Sequence, residues 1–147
     1  MARITFDGLK EYQAMIEEFG KRAPGMINQA LYDGAEILAD AVQNEIDGLH
    51  ELTPEARQGL HDGLGVARFW NEKGATVTKI GFDGYNSKKT KRWPKGQPNA
   101  MIARSVQRGT SWLHANRFAT RAARRARQRC IAAMQARFDK GLQEYTK

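Results

Sequence analysis

Residues 118–138, FATRAARRARQRCIAAMQARF, constrain the fold of this chain more than any other stretch. Seven arginines fall between Arg117 and Arg137, with small apolar residues in the gaps. At 100° per residue, Ala119, Ala122, Ala123, Ala126, Cys130, Ala133 and Met134 gather within roughly 80° of Ala126. Arg117, Arg121, Arg124 and Gln128 gather within roughly 40° of the opposite pole, and Arg125, Arg127 and Arg129 flank the apolar stripe. Only a helix sorts the residues this way. Its alanines leave room for another helix to come close. The spacing predicts a helix over 116–145, with Asn116 as its cap.

A partner for that helix is visible upstream. PGMINQALYDGAEILADAVQNEI places Ile27, Ala30, Leu31, Gly34, Leu38, Ala41, Val42 and Glu45 on one stripe, apolar until its last turn. This predicts a central core helix over 24–46, begun by Pro24. Gly34 costs such a helix about 1 kcal/mol against alanine, which close packing at that point offsets. Before it, Leu9, Tyr12, Ile16 and Phe19 recur at helical spacing, and Gly20 with Pro24 is expected to end that first helix.

Between the two long helices the period changes. Thr53 and Pro54 predict a short helix, Thr53 as its cap and Pro54 in its first turn. GVARFWNEKGATVTKIGFDG then reads as a hairpin over about 65–83, turning at NEKG. Residues 2–6 can add a third strand. The stretch over 84–99 has bases and turn formers but no acid, and predicts a long exposed, mobile loop. NAMIARSVQR predicts a short helix with Ile102, Ala103 and Val106 inward, closed by Gly109. The chain as a whole reads as a single α+β domain, 1–147: a small antiparallel sheet packed against two long helices.

Charge is unevenly placed along this frame. Lys and Arg number 24 against 16 Asp and Glu, a net charge of +8. Residues 1–62 hold twelve of the acids, whereas residues 84–138 hold none and carry fourteen of the bases. Such an excess favours acidic partners, nucleic acid or protein, without choosing between them. Three readings fit the helix arginines: a solvated outer face, a grip on nucleic acid, or a dock for an acidic neighbour. The helical sorting favours the first. Arg117, Arg121 and Arg124 are the candidate partner contacts on that face. In the loop, Lys88, Lys89, Lys91, Arg92 and Lys95 surround Trp93, with Tyr85 nearby. Cations attract phosphate and an aromatic ring stacks on a base, so these residues are candidates for partner or nucleic-acid contact. Such a loop can also order on binding a protein.

No catalytic, cofactor or metal motif is recognisable. There is no HExxH, no phosphate-binding glycine loop and no paired-cysteine pattern. His61 beside Asp62 is no ready dyad, because adjacent helical residues point about 100° apart. A metal-independent nuclease using His61 and His114 is the enzymatic alternative. The lone Cys130 reads as a small buried hydrophobe. No apolar run reaches the roughly 18 residues of a membrane helix. No apolar signal core follows Met1, and a cytoplasmic site of synthesis and use is expected.

Several pieces, taken in order, carry a family resemblance. They are FDGLKEYQAMIEEF, ALYDGAEILADAVQNEI, LTPEARQGL, a hairpin, IARSVQRGTS, and NRFATRAARRA at the head of the last helix. Over about residues 4–140 the chain resembles the tail-component family of tailed phages, the gene-product-ten-like group of HK-type lambdoid phages. Where that family has an acidic residue before Gly-Thr, Gln107 and Arg108 stand here. Where it has Pro before the helix-opening Phe, Asn116 and Arg117 stand. The resemblance implies a tail-completion or head–tail joining (neck) protein that acts by ring assembly and has no active site. It implies Gly109 and Thr110 as the structural turn into the last helix. It implies copies of itself and neighbouring neck or tail proteins as partners, with transient contact to phage DNA and no membrane. It also implies a place in the virion, with the host cytoplasm as the site of assembly. The basic loop is expected to order when the ring forms. The alternative is a small basic cytoplasmic protein that binds nucleic acid.

Overall fold

The computed structural model describes residues 10–68, 70–73 and 75–146, with the backbone alone at 10–16, 75 and 146. A third strand at residues 2–6 lies outside them. The chain is α+β, in the order α1 (Lys10–Asp47), α2 (Pro54–Gly63), β1 (Leu64–Val66), β2 (Trp70–Glu72), β3 (Ala75–Val77), β4 (Ile80–Phe82), α3 (Asn99–Arg108) and α4 (Phe118–Thr146).

The two long helices lie against each other, antiparallel. Near one end Phe118 of α4 joins Ile46 and Leu49 in the core. In the middle Gly34 lies under Met134, whose Cγ sits 2.8 Å from where a Cβ on Gly34 would be. Gly141 faces Met26 in the same way. The glycines thus provide the close approach that the alanine stripe also permits. Cys130 points its Sγ at the Gly34 carbonyl, 3.4 Å away, and burial pushes its thiol above the ordinary value, with the Arg129 charge pulling the other way.

The break expected at Gly20 and Pro24 is absent: α1 is one helix of 38 residues with Pro24 inside it. An interior proline removes one backbone hydrogen bond and costs about 3 kcal/mol. The far end of α4 supplies the compensating contacts. Phe19 meets Phe138 and Tyr145 edge-on at 6.4 and 5.6 Å, and Arg22 lies 5.7 Å over the Tyr145 ring. Asp33 and Arg137 pair at 2.8 Å, which raises the Arg137 guanidinium above its ordinary value. Tertiary packing on both sides of Pro24 therefore outweighs the local signal to stop.

The hairpin forms, but as two short antiparallel ladders. Leu64–Val66 pairs with Ile80–Phe82, and Trp70–Glu72 pairs with Ala75–Val77. Three residues separate the paired positions on the outgoing strand and two on the return. The register therefore shifts by one residue between the two ladders. Lys73 takes φ 53° at the turn. Phe82 carries the sheet onto the core, its ring 6.2 Å from that of Phe118. Thr53 caps α2 by accepting the Ala56 N–H. Ala103 and Val106 of α3 are buried in the same cluster.

Candidate interaction surface

The corner between α3 and α4 is built by Gly109 and Thr110. Gly109 closes α3 with φ +80°, and its N–H reaches the Ser105 carbonyl at 2.8 Å. A Cβ there would also lie 2.8 Å from the Ala115 nitrogen, so glycine is required twice over. The Thr110 hydroxyl accepts the N–H groups of Trp112 and Leu113. The Thr110 N–H returns to the Leu113 carbonyl. In a turn this tight, neighbouring side chains cannot point the same way. Leu113 packs on the core, and Trp112 stands 96% exposed. It lines a shallow hollow of about 580 Å³ with Glu51, His114, Asn116, Arg117 and Arg121.

Sequence reasoning did not single out Trp112. The signal was present in two large apolar residues side by side within a Gly-Thr turn, where only one can turn inward.

The first turn of α4 is not capped by Asn116. Gln107 reaches across from α3 instead: its Oε1 accepts the Ala119 N–H at 3.0 Å, and its Nε2 donates to the Thr120 hydroxyl. Asn116 is engaged elsewhere, donating to Glu51 and accepting from Arg121.

Arg121 also departs from its expected place near the outer pole. Its Nε donates to Glu45 Oε2 at 2.8 Å, and Arg125 donates to Glu45 Oε1 at 2.9 Å. The stripe that packs runs Phe118, Ala122, Ala126, Cys130, and this turns Arg121 onto its flank and leaves Ala123 outside. Arg117 and Arg124 do lie on the exposed face. Glu45, the lone acid on the apolar stripe of α1, is 12% exposed and joins the two long helices through both guanidinium groups. Both arginines keep substantial solvent contact, so the link is modest. Glu45→Gln is expected to lower the unfolding free energy by about 1 kcal/mol, read from urea denaturation at unchanged slope.

The basic loop, residues 84–99, has a hydrogen-bonded base under an exposed tip. Asn86 is buried. Its Oδ1 accepts the Lys88 and Gln97 N–H groups, and its Nδ2 donates to Gln97 Oε1. Its own N–H reaches the Gln97 carbonyl, and Tyr85 bridges to Pro98. Thr90 and Trp93 bond each other through both backbone groups. Lys88, Lys89, Lys91, Arg92 and Lys95 are all exposed, and Arg92 lies 5.5 Å over the half-buried Trp93 ring. The candidate residues thus form two groups on separate elements. Arg117 and Arg121 share the hollow with Trp112, whereas the lysines surround Trp93.

The histidines are placed differently. His61 faces Gln43 Oε1 at 3.0 Å and Asp47 Oδ1 at 2.7 Å, in an open hollow of about 340 Å³ that His50 also lines. His114 lines the Trp112 hollow. The pair that a nuclease would need is therefore split between two hollows. Among the described residues no group of three or more His, Cys, Asp or Glu could hold a metal ion, and no helix is long and apolar enough to cross a membrane. In comparisons with family models, curated proteins and solved structures, the chain matches none.

Proposed function

We propose that this chain is a structural subunit that works by assembly: a tail-completion or head–tail joining component of a tailed phage, acting as part of a ring at the neck. The resemblance supplies the phage context, and Trp112 carries the physical case. An indole left in water forgoes the free energy its burial would release. Tryptophan and arginine are the side chains that most often anchor interfaces. Here a tryptophan whose backbone N–H is bonded by the Thr110 hydroxyl lines one hollow with Arg117. Its partners in this proposal are copies of the chain and neighbouring neck or tail proteins. The basic loop meets phage DNA transiently. The chain itself performs no chemistry.

The Arg92–Trp93 pair among exposed lysines favours a second reading, a small nucleic-acid-binding protein. Light scattering across protein concentration and salt, with a DNA-shift control, separates the two. Discrete oligomers with weak DNA affinity at physiological salt support assembly. A monomer that holds DNA tightly and releases it steeply as salt rises supports the second reading. Trp112→Ala makes the assembly reading specific. It is expected to leave unfolding free energy within about 0.5 kcal/mol of the parent. It should weaken association by about 2 kcal/mol per contact. Unchanged association would remove Trp112 from the interface.

A further inference from the structure

The two long helices each turn one continuous stripe away from the seam between them, and the stripes are opposite in charge. On α1, Tyr32, Glu36, Asp40, Gln43 and Asp47 follow one another at steps of four and three residues, which keeps them on one side of a helix. Glu36, Asp40 and Asp47 are exposed, and Tyr32 is 55% exposed. Arg117, just ahead of α4, and Arg124, Gln128, Ile131 and Gln135 on it follow at steps of seven, four, three and four residues, which again keeps one side, all exposed, with Arg127 beside them. Glu36, Asp40, Arg117 and Arg124 make no side-chain hydrogen bond or ion pair among the described residues. Among the described residues Asp47 pairs with His61 alone.

The stripes also match along their length. Each carries its large apolar member toward one end and its charges toward the other. From Ile131 the arginines lie seven and fourteen residues back, about 10 and 21 Å along the helix. From Tyr32 the carboxylates of Asp40 and Asp47 lie eight and fifteen residues forward, about 12 and 22 Å. Within one chain the two stripes stand at the same level, because Gly34 lies against Met134 and Ile46 clusters with Phe118. A neighbour set alongside without being shifted up or down would bring Ile131 to Tyr32, Arg124 to Asp40 and Arg117 to Asp47.

We propose that the occupant of the basic α4 stripe is the acidic α1 stripe of a second copy of this chain. The inference rests on the assembly reading and names its contact. The two faces differ, so the contact is head-to-tail: every copy that binds leaves one free stripe of each kind. Repetition closes a ring or extends a filament. Trp112 sits at the Arg117 end of the basic stripe and caps the same contact.

Charge reversal on each face tests this with the full chain. One variant carries Glu36→Lys and Asp40→Lys; the other carries Arg117→Glu and Arg124→Glu. All four positions are exposed, so circular dichroism and urea midpoints should match the parent. In sedimentation velocity at low salt the parent is expected to associate. Each variant alone presents like charges on both stripes and should associate at least about tenfold more weakly. An equimolar mixture should recover association, because each variant offers the face the other has lost. Variants that associate like the parent, or a mixture that stays monomeric, would overturn the proposed contact while leaving assembly through another face open. A parent that remains monomeric and binds duplex DNA would overturn both the contact and the assembly reading.

Discussion

Phe118→Ala is expected to lower the unfolding free energy by about 3–5 kcal/mol, the largest single loss open to a side chain of this core. Phe118 is 1% exposed. It opens α4, meets the Phe82 ring of β4 at 6.2 Å, and belongs to one cluster with Ile46, Leu49, Leu60 and Val106. It therefore joins three parts of the fold: the α1–α4 pair, the sheet and α3. Truncation removes the transfer free energy of the ring, and the loss grows with whatever cavity the neighbours cannot fill. The aromatic pair with Phe82 is worth a further fraction of this, about 0.5–1.5 kcal/mol. Domains of this size are typically stable by about 5–15 kcal/mol, so much of the total is at stake. Urea denaturation with an unchanged slope measures the loss cleanly. Phe118→Leu keeps most of the volume and should recover much of it. A loss below about 1 kcal/mol in the alanine variant would mean that the three parts are not coupled through this ring.

The contrast with Trp112 shows what a sequence carries and what it leaves out. Both are large aromatic residues close to the α3–α4 corner, and nothing in their identity separates them. Phe118 stands four residues ahead of Ala122 and eight ahead of Ala126, in step with the stripe that packs, and it joins them in the core. Trp112 belongs to no period, and its exposure follows from the Thr110 turn alone. The last helix, the 24–46 part of α1, their mutual packing, the cap at Thr53 and the inward residues of α3 were legible, since each rests on the pattern within one element. What spacing cannot show is a partner far along the chain. Glu45 stands out on its stripe as an acid, yet Arg121 lies 76 residues away. Gln107 caps a helix other than its own, and Phe138 and Tyr145 pack against α1 where it continues unbroken past Pro24. The loop illustrates the same limit. Its cations are plain in the sequence, whereas the buried asparagines that frame it look like ordinary turn residues.

Those asparagines give Gly63→Ala the second large effect, a loss of about 3 kcal/mol. Gly63 ends α2, and a Cβ on it would lie 2.2 Å from the Asp83 carbonyl oxygen and 2.6 Å from Asn99 Nδ2. Those two atoms share the hydrogen bond, 2.8 Å long, that satisfies the Asn99 amide. Its Oδ1 is already buried without a partner among the described residues. Pushing Asp83 aside leaves the whole Asn99 side chain unbonded in the interior. The contact is with backbone, so no side-chain rotation relieves it. Asn99 also donates its N–H to the Gly84 carbonyl, at the point where the basic loop begins and ends. The variant should therefore speed hydrogen exchange at the Lys88 and Gln97 amides more than at the core of α4. Gly65→Ala is the matched control two residues away. A Cβ there meets nothing within 4 Å, so alanine should be neutral or stabilising by up to about 1 kcal/mol. Equal losses in the two variants would mean that strand geometry sets the cost. A loss confined to Gly63 places it in the asparagine frame, and predicts that partner binding through the basic loop weakens although no loop residue has changed.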